Sequence, residues 1–196
     1  LKKIPTENLK KFALACVYSK RLLTEQLFGE IAPLHVAAHY GDLLLFKYIL
    51  KKSHNKNPKD KGGDTPYHFA AGYNKLEICK FYIENTKNKK LPKTYDGRTP
   101  LHDAADEGHF DVFKLIFRHA RDKNPRDHNG RTPLHNAAVE NHLEICKLIV
   151  LEVEDDSILF SLFSILLLSD ISSPPELKFK VSDGQYTAHC SVPIVD

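Results

Sequence analysis

Methionine and tryptophan are absent from all 196 residues, and even position 1 is leucine. A translated chain starts with methionine, so the expectation is a segment of a longer protein or a processed product. Residues 1–31 alternate charge with apolarity and lack the central apolar run of a secretory signal. The apolar stretch Ile158–Leu168 is well short of the about 20 residues a bilayer-spanning helix needs. Cysteine is sparse, with only Cys16, Cys79, Cys146 and Cys190. No Cys-x-x-Cys, His-Glu-x-x-His or glycine-rich phosphate loop occurs, and Gly62-Gly63 reads as a turn. A net charge of +3 is too small to imply nucleic-acid binding. With 42% hydrophobic and 27% charged residues, the composition is that of an ordinary globular protein.

What the chain does contain is one phrase written four times: Ala32-Pro33-Leu34-His35, Thr65-Pro66-Tyr67-His68, Thr99-Pro100-Leu101-His102 and Thr132-Pro133-Leu134-His135. Successive histidines are 33, 34 and 33 residues apart. Such a period predicts stacked units, each too small to bury a core alone. Within a unit the threonine fits a helix N-cap and the proline the first helical position, where a missing N–H costs nothing. Paired alanines follow and let a neighbouring helix approach closely. Gly41, Asn74, Gly108 and Asn141 then stand where the chain must turn left-handed, and these are the residue types that tolerate it best. A second helix follows, with Leu43, Leu76, Phe110 and Leu143 inward, Ile49, Ile83, Ile116 and Ile149 in the core, and Phe46, Cys79, Phe113 and Cys146 alternating large and small between them. Asn129-Gly130 marks a tight turn before the last phrase.

Phrase, period and turn chemistry together resemble the ankyrin repeat over residues 32 to 156. The resemblance implies an all-α solenoid of helix-turn-helix units at 32–64, 65–98, 99–131 and 132–156, with a non-repeat C-terminal tail. Departures are local. Ala32 lacks the threonine side chain, at a cost of roughly 1 kcal/mol. Tyr67 replaces leucine and demands space or a partner for its hydroxyl. Unit two carries one extra residue, assigned to a bulge in Glu84–Lys90.

The ends break the pattern. Residues 1–31 read as a capping helix or degenerate half-repeat, with Leu9, Phe12, Cys16 and Val17 as an apolar stripe. The register carried forward reaches Ser157-Ile158-Leu159-Phe160 where the Asn-Pro phrase belongs, so the template stops after Asp156. Residues 157–175 fit an apolar capping helix with a Pro-rich linker, a membrane-surface segment, or a splice or frame junction. Residues 176–196 read as a β-hairpin, packed on the solenoid or on missing sequence, or as a disordered tail.

Little here suggests catalysis. Units spaced roughly 10 Å apart keep the four phrase histidines from sharing a metal, and each imidazole is expected to tie its own turn to neighbouring backbone. The same spacing keeps Cys79 and Cys146 from bridging, so both read as reduced core residues in a reducing intracellular setting, cytoplasmic or nuclear. His109 and His142 are expected to face solvent. No catalytic residue, cofactor or metal is expected.

Binding is better supported. The fold implied by the resemblance lines a concave face with Val36, His39 and Tyr40; Phe69, Gly72 and Tyr73; Asp103, Asp106 and Glu107; and Asn136, Val139 and Glu140. The expected partner is a protein segment that is apolar against Tyr40, Phe69 and Tyr73 and basic against Asp103, Asp106, Glu107 and Glu140. That reading makes the chain a non-catalytic scaffold or adaptor. The alternative is a regulatory fragment of a larger channel, kinase or ubiquitin-ligase adaptor whose active part lies elsewhere.

Overall fold

A computed structural model describes residues 31–85 and 90–152, together with Lys11 and the backbone of 176–182 and 185–191. The cap expected within 1–31, the bulge at 86–89 and the segment 157–175 lie outside the described residues.

Among the described residues eight helices follow one another in four pairs: α1 (Pro33–Tyr40) and α2 (Leu43–Lys52), α3 (Pro66–Gly72) and α4 (Leu76–Asn85), α5 (Pro100–Asp106) and α6 (Phe110–His119), α7 (Pro133–Val139) and α8 (Leu143–Glu152). Each first helix begins with the phrase proline at its first or second position, and φ is fixed there before the helix forms. Each pair is joined by a left-handed residue, Gly41 (φ 77°), Asn74 (56°), Gly108 (69°) or Asn141 (60°). First helices pack on first helices and second on second along the stack, which makes an all-α solenoid. Further along, β1 (Glu176–Ser182) pairs antiparallel with β2 (Gln185–Ser191), Ser182 opposite Gln185 and Glu176 opposite Ser191.

The core is one continuous apolar strip through all four units. Ala37, Ala38, Ala70, Ala71, Ala104, Ala105 and Ala137 have no exposed surface, so the alanine pairs do bring the first helices together. Phe46, Cys79 and Phe113 are buried in turn from α2, α4 and α6. Leu43, Leu76, Phe110 and Ile83 pack only partly buried against this strip. Ile49, Ile116 and Ile149 are fully buried in the second helices, and so are Ile78, Val112, Phe117 and Ile145.

Threonine caps these helices by a route different from the expected one. No threonine side chain at Thr65, Thr99 or Thr132 accepts directly from the helix backbone. Instead the phrase histidine folds back, and its Nδ1 accepts the N-cap backbone N–H of Ala32 (3.2 Å), Thr65 (3.1 Å), Thr99 (3.0 Å) and Thr132 (3.2 Å). The three threonine hydroxyls meet the same nitrogens at 2.9, 3.0 and 2.9 Å. With Nδ1 accepting, the proton sits on Nε2. That N–H donates to the turn that leads into the next unit, at the carbonyls of Asp64 (2.9 Å), Arg98 (3.3 Å) and Arg131 (3.2 Å) for His35, His68 and His102. These three histidines therefore close their own helix starts and tie them to the following turn. Ala32 keeps the backbone half of this arrangement and loses the hydroxyl.

Those turns are themselves linked by backbone, Tyr95 N–H to the Gly62 carbonyl (3.0 Å) and His128 N–H to the Asp96 carbonyl (2.8 Å). Burial holds all four imidazoles below their ordinary range, His68 to about 3 and His102 to about 4. His109 and His142 correct the expectation of solvent-facing rings. Both are half-buried, and their Nε2 atoms reach the Gly72 and Asp106 carbonyls of the preceding unit at 3.2 and 3.1 Å. His142 lies so close over Gly108 that a Cβ there would sit 2.4 Å from its ring.

Tyr67 found space without a partner. It is 2% exposed and stacks on Tyr82 at 4.3 Å, yet its hydroxyl meets no donor or acceptor among the described residues. A buried hydroxyl without a partner costs about 1–3 kcal/mol, so Tyr67→Phe should stabilise the protein by about 1 kcal/mol. Equilibrium urea unfolding checks this, and a lower midpoint would contradict it.

The histidines also set a pH dependence. Each is neutral in the fold and gains a proton on unfolding once the pH is below about 6.5, so stability should fall with pH there by up to about 1.4 kcal/mol per pH unit for each. Asp103, whose carboxyl burial pushes up to about 7, acts in the opposite direction between about 7 and 4 but is outnumbered. The urea midpoint should drop between about pH 6.5 and about pH 5. A level or rising midpoint over that window would be inconsistent with four neutral imidazoles.

Candidate functional site

The first helices expose the same register one unit apart. Phe69, Gly72 and Tyr73 sit at i, i+3 and i+4 on α3 and its end, and Asp103, Asp106 and Glu107 repeat that spacing on α5 and its end, so both sets share a face. At Gly72 α3 packs close to α5, where a Cβ would meet that of Asp103 at 3.6 Å, an ordinary van der Waals contact. His109 pins the end of α3, and His142 the end of α5, through the carbonyl contacts described above.

Between the helices lies a groove pocket of about 470 Å³. It brings together Phe69, Tyr73, Asp103, Asp106 and Glu107, with Ile31, Asp60, Asp64, His68, Gly72 and Arg98 completing its lining. Tyr40 and Glu140 lie outside it. Tyr40 joins Ile31 and Leu45 in covering Val36, and His39 links it to the groove, its ring edge-on to Tyr40 (4.9 Å) and Tyr73 (4.0 Å). Glu140 is exposed at the end of α7. Two positions expected on the open face are buried: Val36 (2% exposed) under that cover, and Asn136 (1%), whose Nδ2 reaches the His102 carbonyl.

The acidic end is less open than its composition suggests. Arg98 Nη2 pairs with Asp103 Oδ1 at 3.0 Å and also contacts Asp106 Oδ2. The other oxygen of Asp103, Oδ2, is buried with no donor among the described residues. Burial is the main reason its carboxyl is pushed up to about 7 despite the guanidinium. Asp64 is raised as well, by burial and then by Asp60. The pocket thus holds five carboxylates against one guanidinium.

Asp64 and Arg98 escaped notice in the sequence because they stand just before the phrase, where Ile31, Asp64, Arg98 and Arg131 change character from unit to unit. Comparing that one position across the repeats would have found them.

Asp64, His68 and Asp103 each bring a potential ligand atom within 4.8 Å of the others. His68 has no lone pair to give, since Nδ1 accepts from Thr65 and Nε2 carries the proton donated to Arg98. As arranged, the trio offers carboxylate oxygens alone, and the chemistry it suits is recognition of a cation donor.

The family described as ankyrin repeats, in a form of three copies, matches residues 34–127 and 88–158, together more than half of the chain. The chain belongs to the ankyrin-repeat family. Ankyrin repeats are generic protein-interaction modules. This chain is similar to ankyrin repeat and SOCS box protein 3 of Homo sapiens (28% identical) and of Bos taurus (34%), in each case over 103 residues, 52% of this chain and 20% of the relative. It is also similar to transient receptor potential cation channel subfamily A member 1 of Homo sapiens, 29% identical over 114 residues, 57% of this chain and 10% of the channel subunit. The chain therefore spans a fifth or less of these relatives' lengths. Among the described residues no helix is long and apolar enough to cross a membrane.

The Arg98 pairing predicts a measurable coupling within the ankyrin groove. Arg98→Gln leaves a half-buried carboxylate without its cation and should destabilise the protein by about 1–2 kcal/mol. Asp103→Asn in the same background should restore part of that loss. A double-mutant cycle by urea unfolding tests the pair, and purely additive effects would show no coupling.

Proposed function

We propose that this chain is a non-catalytic docking module that holds a segment of a partner protein along the groove over α3 and α5. One observation carries the reading: the pocket joins an aromatic wall, Phe69 and Tyr73, to a carboxylate-rich wall with a single guanidinium. Aromatic side chains supply contact area at low entropy cost, and the charge imbalance steers a basic partner and fixes its direction. Glu140 extends the negative charge toward α7, while Tyr40, reached through His39, extends the aromatic side toward α1. Arg98 offsets part of the field at Asp103 and Asp106, so Asp60, Asp64 and Glu107 carry more of the attraction than composition implied. Nucleic acid, also polyanionic, is a poor fit to this wall.

The short coverage of every relative named above favours a second reading at the level of the whole protein. There the same groove serves as the regulatory or targeting portion of something larger, such as a channel, a kinase or a ubiquitin-ligase adaptor. Buried Cys79, whose thiol burial pushes up to about 12, suits a reducing intracellular compartment.

Site-specific photocrosslinking tests the docking surface. A photoreactive phenylalanine at Tyr73 should capture a partner in cell extract, and one at Tyr48, exposed on α2, should not. Capture at Tyr73 should weaken at least about tenfold when Asp106→Lys and Glu107→Lys are combined. Equal capture from both positions would end the groove reading.

A further inference from the structure

The pocket's donors and acceptors are out of balance in a way that selects one side chain. One nitrogen of Arg98, Nη2, already occupies the position between Asp103 and Asp106. What remains is not a second bidentate face. It is a set of separate acceptors on three elements: Asp64 from the turn before α3, Asp103 from α5, and Glu107 just past the end of α5. Oxygens of Asp64 and Asp103 lie within 4.8 Å of each other. A tetrahedral ammonium bonded to two acceptors at about 2.8 Å holds them about 4.6 Å apart. A guanidinium asks instead for two coplanar acceptors on one carboxylate.

Asp103 Oδ2 is buried and meets no donor among the described residues, so the carboxyl's hydrogen bonding is left incomplete on that side. Beside this set stand Phe69 and Tyr73, ring centroids 6.3 Å apart, an apolar flank against which an alkyl stem can lie while its charged end reaches the acids.

Building on the docking function above, we propose that this end of the groove seats one lysine of the partner segment, its stem along Phe69 and Tyr73 and its ammonium among Asp64, Asp103 and Glu107. The seat reads the partner's sequence at one position, and the rest of the groove supplies contact area. Arg98 acts as a positioning residue that holds Asp103 in place.

The test uses the full chain, immobilised, and three pools of acetylated dodecapeptides that share randomised uncharged positions and differ at one fixed residue. That residue is lysine, arginine or norleucine, which matches the lysine stem without its charge. At physiological salt the lysine pool should be retained about tenfold over the norleucine pool and above the arginine pool. Asp64→Asn with Glu107→Gln should erase the lysine advantage and leave norleucine retention unchanged. Glu107→Gln alone, at an exposed position, should reduce the advantage in a protein whose melting curve is unaltered. Equal retention of lysine and norleucine, or preference for arginine, would overturn the lysine seat. The docking function would survive that result provided Tyr73→Ala lowers retention of every pool. Retention indifferent to Tyr73→Ala as well as to the acids would overturn both.

Discussion

The bond from a phrase histidine to the turn that leads into the next unit, made by His35, His68 and His102, is the constraint around which this solenoid is organised. An ankyrin unit of two short helices cannot bury its own apolar face, so its stability comes from its neighbours. Imidazole is suited to the junction because one ring offers an acceptor and a donor pointing apart. Nδ1 accepts an N–H that would otherwise be an orphan at the helix start, and Nε2 donates to a turn carbonyl that also accepts a backbone N–H from within its own turn. His35, His68 and His102 do this in sequence, and the Tyr95 and His128 backbone bonds run beside them. The stacking of turns, the parallel packing of first helices and the line of the groove all follow from that repeated tie.

A second set of histidines does the same work on the opposite side of the first helices. His109 and His142 hold the carbonyls at the ends of α3 and α5, the two elements that carry the groove's aromatic and acidic walls. Close packing of His142 on Gly108 explains why glycine occupies that turn, where the asparagine of other units would collide with the ring. Groove geometry is thus inherited from the inter-unit contacts. The bonds that support the proposed docking face lie between repeats.

Electrostatics within the groove illustrate how a fold tempers composition. Five carboxylates in one pocket would repel one another, and Arg98 relieves two of them. Burial still holds Asp103 and Asp64 above their ordinary range, so the pocket keeps an appetite for positive charge. On the proposed docking reading, attraction is concentrated where a partner's cation can replace water.

Much of the architecture is legible in the sequence because repetition averages out the local exceptions. The four phrases locate the first helices, the alanines their close packing, and Gly41, Asn74, Gly108 and Asn141 the left-handed links, since each of these rests on backbone preferences acting within a few residues. Phe69, Tyr73, Asp103, Asp106 and Glu107 share a face for the same reason, helical spacing alone. What the tertiary structure decided is which atoms come within reach once the units stack. The burial of Asn136 and the inward turn of His109 and His142 join residues about one repeat apart, while the cover over Val36 and the capture of Asp103 by Arg98 depend on how the chain folds back within a few residues. Hydrogen bonds and desolvation act over a few ångströms, and no pattern read along a single unit specifies what its neighbour places there.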